Sequence, residues 1–142
     1  MANLLYDTGR EGFLLGEIAW VTPSIKLLAV RAYTFSAAHK FVSDVTAAGG
    51  TIANTSAVFT AKTSTAGVAD AADVTYTAFT AGAAVPALIL IQSSAVTGGA
   101  DVAATAQRVI AFIDTYTNLP FTPNGGDITI VFDNTANRIF KL

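Results

Sequence analysis

The 142-residue chain has no cysteine, one histidine, one tryptophan and one methionine. Without cysteine there is no disulfide, thiolate zinc site, iron–sulfur cluster or cysteine nucleophile. One histidine leaves little room for a polyhistidine metal centre. Charge is also scarce: Asp, Glu, Lys and Arg make up 13% of residues, about half the usual share. Eight Lys and Arg against ten Asp and Glu leave a net charge of −2. So few cations cannot neutralise many phosphates, and no basic run interleaves with aromatics, so a nucleic-acid partner is not expected. A long hydrophobic run is missing too. The longest, Ala81 to Ile91, contains Gly82 and Pro86 and is too short to cross a bilayer as a helix. The opening carries Asp7, Arg10 and Glu11 and lacks a basic start followed by an apolar core, so no signal peptide and no membrane partner are expected.

What is present is apolar and small. Hydrophobic residues make up 52% of the chain and mean hydropathy is +0.52, which excludes a highly charged disordered chain. The length suits one domain over residues 1–142, with no linker and no internal repeat. A folded chain of this mass exposes about 6,900 Å². Threonine occurs 19 times, mostly in or beside apolar runs; a β-branched hydroxyl residue suits a pleated, partly wet face that can meet another protein without charge.

The best helix candidate is the N-terminal segment, residues 4–17. Thr8 and Glu11 have capping-box spacing. Tyr6, Phe13, Leu14, Glu17 and Trp20 fall on one side at helical spacing. Gly9 and Gly12 weaken a helix interior, and Gly16 can close it in the left-handed conformation.

The remainder reads as β. Strands are expected over Ile25 to Tyr33, Thr51 to Thr63, Val74 to Phe79, Ala87 to Ile91, Arg108 to Asp114, Asp127 to Phe132 and Arg138 to Leu142. Ala87 to Ile91 is a continuous aliphatic run, which predicts a strand covered on both faces. The two apolar faces of Arg108 to Asp114 predict a central position. Gly49-Gly50, Gly98-Gly99 and Asn124-Gly125-Gly126 supply turns, Pro120 and Pro123 bracket another, and Asp133 to Asn137 reads as a hairpin loop. Ala37 to Val45 fits one helical turn; Ala100 to Thr105 fits either a loop or a short helix. The pattern predicts a mainly β fold, an antiparallel β-sandwich or small barrel of about six to eight strands with a short N-terminal helix.

No residue cluster has a strong catalytic signature. His39 with Asp44, Ser36 and Ser43 contains the residue types of a nucleophile, base and orienting acid, but no Gly-x-Ser-x-Gly turn accompanies them. A structural histidine in a turn is the expected role. Asp70 and Asp73 precede a strand without the Asp-x-Asp-x-Asp-Gly pattern of a calcium loop, and turn capping explains them. Asp101, Asp114, Asp127 and Asp133 each flank a turn or strand end. Asn124-Gly125-Gly126-Asp127 is followed by no lysine and no helix, unlike a phosphate-binding loop. Tyr6, Phe13 and Trp20 are expected in the core. No catalytic residue, metal or cofactor is expected, and no enzyme activity.

Several segments carry a family resemblance. They include Met1 to Leu14 with Ile18-Ala19-Trp20, His39 to Val45, Gly67 to Val74, Arg108 to Asp114, Leu119 to Ile130 and Ala136 to Leu142. Together they resemble a family of small virion structural proteins of tailed bacteriophages. The chain departs from that pattern over Ala84 to Gln92, where it is more aliphatic. The resemblance implies a head decoration, or cement, protein on the outer capsid surface, with the major capsid protein as partner and virion localisation. It implies no cofactor and no catalytic residue. Shells offer local threefold positions, so a homo-oligomer, preferably a trimer, is expected by analogy. The N-terminal Leu4, Leu5 and Tyr6 are the candidate interface residues, on the expectation that this apolar chain end is exposed. The alternatives are a tail, baseplate or head–tail connector subunit, or a host-glycan-binding capsid module using an aromatic such as Tyr116 beside Asn118.

Overall fold

The structure is a computed structural model that describes residues 3–133 and 138–142. The expected hairpin loop at Asp133 to Asn137 lies, apart from Asp133, outside the described residues. The chain exposes 6787 Å², close to the area that its mass implies.

The fold is mainly β, built as a small antiparallel sandwich. Its elements are β1 (Leu4–Leu5), α1 (Asp7–Leu15), β2 (Ser24–Arg31), α2 (Val42–Ala47), β3 (Thr51–Thr55), β4 (Thr63–Thr65), β5 (Val68–Asp70), β6 (Val74–Tyr76), β7 (Ala87–Ser94), β8 (Arg108–Ile113), β9 (Ile128–Ile130) and β10 (Phe140–Lys141). The main sheet has the order β1-β8-β7-β2-β3. Two small sheets, β10-β5-β4 and β6-β9, accompany it. Every pairing is antiparallel, and the main sheet is open, so the sandwich and not the barrel is formed.

The central strands explain the aliphatic composition. All eight residues of β7 and all six of β8 are buried. Along β7 the side chains alternate: Leu88 and Leu90 join one cluster with Ile25, Leu27 and Ile110, covered by Val74, Tyr76 and Ile130 of β6-β9 and by Ala69 and Phe140 of β10-β5-β4. Ala87, Ile89 and Ile91 face the other way, against Tyr6 and against Val42 and Val45 of α2. A strand with no wet face needs no polar alternation.

The N-terminus differs from its expected form. The helix begins at Asp7, not near residue 4, and Leu4 and Leu5 instead pair with Phe112 and Ala111 of β8. No side-chain cap forms at its start. The Thr8 hydroxyl donates to the His39 carbonyl instead of its own helix, because the loop carrying His39 packs on this turn. The end is as expected: Gly16 takes φ 73° and its amide closes onto Gly12 and Phe13. Gly9 has a packing role. A Cβ there would lie 2.8 Å from the Ile110 carbonyl oxygen, so the missing side chain lets α1 lie directly on β8.

Three strand expectations change for local reasons. Thr51 to Thr63 splits into β3 and β4, because the Ser56 hydroxyl accepts the Leu27 amide at 2.9 Å and replaces a ladder partner. Val74 to Phe79 stops at Tyr76, since Ala78 turns with φ 47° and Phe79 folds into the core. Asp127 to Phe132 stops at Ile130: the Val131 amide donates to the Tyr116 hydroxyl and the Phe132 amide to Asp73. An unexpected strand, β5, follows the Gly67 turn and ends on Asp70. With the short pieces counted, the described residues form ten strands, beyond the expected six to eight.

Candidate functional site: exposed leucines at the end of the N-terminal helix

The polar residues that invited a chemical reading hold the fold together. His39 Nδ1 lies 2.7 Å from the Tyr33 hydroxyl, which accepts the Tyr6 hydroxyl at 3.1 Å. Asp44 is turned to the backbone, accepting the amides of Lys40 at 2.8 Å and Phe41 at 2.9 Å. Those amides, Phe41 first, draw its carboxyl below the ordinary aspartate range. His39 and Asp44 therefore have separate structural partners and form no base–acid relay with Ser36 or Ser43.

The other carboxylates follow suit. Asp70 pairs with Arg138, Asp73 accepts the Phe132 amide, Asp101 pairs with Lys26 at 2.8 Å, and Asp127 accepts the Ala78 amide at 2.8 Å. Among the described residues no group of three or more His, Asp or Glu is placed to hold a metal, and no helix is long and apolar enough to cross a membrane. Tyr116 is half-buried and its hydroxyl accepts the Val131 amide, so that ring is held from behind.

Tyr6, one of three candidate interface residues, has no surface to offer. It is fully buried, and burial pushes its phenol far above the ordinary tyrosine range. Leu4 and Leu5 are half-buried in an edge strand. Leu4 to Tyr6 therefore do not form the exposed apolar segment that motivated all three; the most exposed large apolar side chain, Leu14, lies on the following helix.

That exposure has a local cause. Because α1 buries its glycine face, its large side chains are displaced to the flanks. Phe13 turns inward and meets Phe140 with ring centroids 5.9 Å apart. Trp20 meets Phe140 edge-on at 5.3 Å, and its indole N–H donates to the carbonyls of Thr63 at 2.8 Å and Asp70 at 3.2 Å. These rings floor a groove of about 390 Å³ that is walled by Ala19, Val21, Ala69 and Leu142. Thr22, Ser64 and Gly67 complete the lining, which includes no charged side chain.

Of the groove's lining, Leu142 is 57% exposed and Val21 51%; on α1 itself, Leu14 is 90% exposed and Leu15 60%. Helical spacing groups Leu14 on one side with Phe13 and Trp20, yet those two rings turn inward and Leu14 does not. The actual buried stripe is Gly9 and Gly12, a periodicity of absent side chains that hydrophobic spacing does not register. Single exposed leucines need no explanation, whereas two adjacent ones at one helix end make a candidate contact surface.

Comparisons of the chain with protein-family models, with curated proteins and with solved structures found no match.

Proposed function

We propose that the chain is a phage capsid decoration protein that docks on the outer face of the shell through the apolar surface at the end of α1. The observation that carries this reading is the exposure of Leu14 and Leu15 at the end of α1. Two supports stand beside it: the resemblance to small virion proteins, and the structural use of the carboxylates and the histidine that a catalytic reading would need. The binding is mechanical. Covering two leucines contributes about 4 kcal/mol before association costs. A subunit that binds the expanded shell and not its precursor stabilises the expanded state by mass action, about 2.7 kcal/mol per site at a hundredfold excess over Kd. Symmetry then repeats that gain over the shell.

The test is occupancy. Particles of the virus encoding this chain should carry hundreds of copies, visible by imaging on the outer shell, as expected for a symmetric surface lattice. The variant Leu14→Lys with Leu15→Lys should fold normally and be lost from particles. Absence of the chain from purified particles would overturn the proposal; a count near a dozen would assign a head–tail connector instead.

A further inference from the structure

Asn124-Gly125 is a turn signal and also a chemical one. The side-chain amide of asparagine is thermolabile: the backbone nitrogen of the next residue attacks its Cγ, and glycine, with no side chain, obstructs that attack least. Of the asparagines in the chain, only Asn124 precedes a glycine. Asn124, Gly125 and Gly126 are all exposed, and Gly125 turns the chain with φ 94°.

Two hydrogen bonds act on the reacting atoms in opposite senses. The Gly126 amide donates to Asn124 Oδ1 at 3.0 Å. Oδ1 is the oxygen that gains negative charge as the Gly125 nitrogen adds to Cγ, so a donor already stands where charge develops. The attacking group, by contrast, is restrained. The Gly125 amide donates to the Phe79 carbonyl at 2.9 Å. That nitrogen must lose its proton to attack, and a hydrogen bond to the protonated form keeps the proton on.

The restraint is one of a set. The Phe79 amide donates back to the Gly126 carbonyl at 3.0 Å, and the Gly82 amide donates to the Pro123 carbonyl at 3.3 Å. The Ala78 amide donates to the Asp127 carboxylate at 2.8 Å. Phe79 itself is buried, its ring centroid 5.3 Å from that of Tyr76 and 5.7 Å from that of Phe121. The turn at 123–127 is thus clipped to the segment that carries Phe79 into the core.

We propose that Asn124 is a spontaneous deamidation site whose rate is set by release of the Gly125 amide from Phe79. Solvent hydroxide takes the proton of the freed amide, and the Gly125 nitrogen forms a bond to Asn124 Cγ. The Cγ–Nδ2 bond breaks, and Nδ2 takes a proton from water and leaves as ammonia. The succinimide ring so formed adds water at either of its two carbonyls, giving aspartate or isoaspartate; nothing is oxidised or reduced. Isoaspartate routes the main chain through the side-chain carbon, one CH2 longer, which breaks the spacing that lets Gly125 and Gly126 both pair with Phe79.

Peptide mapping by mass spectrometry tests this on the full folded chain, incubated at mildly alkaline pH. Asn124 should convert ahead of every other asparagine and yield both aspartate and isoaspartate. Conversion should run about tenfold slower than in the same chain unfolded in guanidinium, because local opening has to precede attack. The variant Asp127→Ala removes the acceptor of the Ala78 amide and keeps Asn124-Gly125. It should speed conversion in the folded chain and leave the unfolded rate unchanged. A folded chain that converts as fast as the unfolded one, or a folded rate indifferent to Asp127→Ala, would overturn the gate. Conversion first at another asparagine, an Asn124 that stays intact, or aspartate without isoaspartate would overturn the site.

Discussion

The Tyr76 hydroxyl donates to the Leu27 carbonyl at 3.0 Å, joining the small sheet β6-β9 to the centre of the main sheet. Both residues are fully buried, and burial pushes the Tyr76 phenol well above its ordinary range. The Leu27 oxygen also accepts the Ser56 amide at 2.9 Å. Tyr76→Phe therefore leaves that carbonyl with one donor, and the cost should fall at the low end for a buried hydrogen bond, about 1 kcal/mol. Tyr76→Ala also empties ring volume from the core and should cost about 3–5 kcal/mol. Urea unfolding midpoints at constant slope check both values; equal costs would mean that the hydroxyl, and not the ring, joins the sheets.

Gly9 reverses the usual helix rule. Glycine to alanine inside an exposed helix stabilises by about 1 kcal/mol. Here the added Cβ would lie 2.8 Å from a backbone oxygen of β8, an atom that cannot swing aside. Gly9→Ala should destabilise the protein by about 1–3 kcal/mol, whereas Leu14→Ala, on the exposed flank of the same helix, should be close to neutral. Thermal unfolding of the two variants side by side checks the contrast. A stabilised Gly9→Ala protein would show that α1 does not lie against β8 this closely.

How much of this was legible in the sequence depended on whether packing or periodicity set each element. The aliphatic run Ala87 to Ile91 and the two-faced Arg108 to Asp114 announce themselves, because a strand buried on both sides has to be apolar throughout. Gly16 is legible as a helix stop because left-handed geometry favours glycine. The buried face of α1 was illegible, since glycines make that contact and hydrophobic spacing counts side chains that are present. Tyr6 was expected in the core by its type and also offered as an interface residue; the core reading holds, through partners Tyr33 and Phe35 that lie across a loop with no regular spacing. Strands of three residues such as β5 are shorter than any periodicity can register. The apolar surface at Leu14 and Leu15 follows from the same glycine contact, so it too became visible only with the fold.

Asp44 ties stability to acid. Its carboxyl is drawn below the ordinary value by the amides of Phe41 and Lys40. A carboxyl with a depressed value in the folded state contributes stability that is present above the unfolded value, about pH 4, and lost as pH falls through the lower folded value. Asp44→Ala should therefore cost about 1 kcal/mol at neutral pH, the usual price of a lost helix-start acceptor. The difference from wild type should shrink as pH drops below about 4, where the wild-type carboxyl is protonated as well. Chemical unfolding of both proteins across that range checks the convergence. A constant gap would mean that Asp44 acts through shape alone.

Truncation at the N-terminus separates two ways of losing a decoration subunit. Residues Leu4 and Leu5 pair with β8, and Tyr6 fills the core beneath α2. Removing the first six residues deletes a fully buried aromatic, whose loss by analogy with phenylalanine truncation costs about 3–5 kcal/mol. The truncated chain should melt about 6–20 °C lower, taking 2–4 °C per kcal/mol for a chain of this size, and should be depleted from particles because less of it is folded. Leu14→Lys with Leu15→Lys changes only exposed side chains and should be depleted from particles with its melting temperature nearly unchanged. Melting curves and particle occupancy measured on the same two proteins distinguish a segment that builds the fold from a surface that docks it. Normal occupancy of the double lysine variant would move the docking surface elsewhere on the molecule.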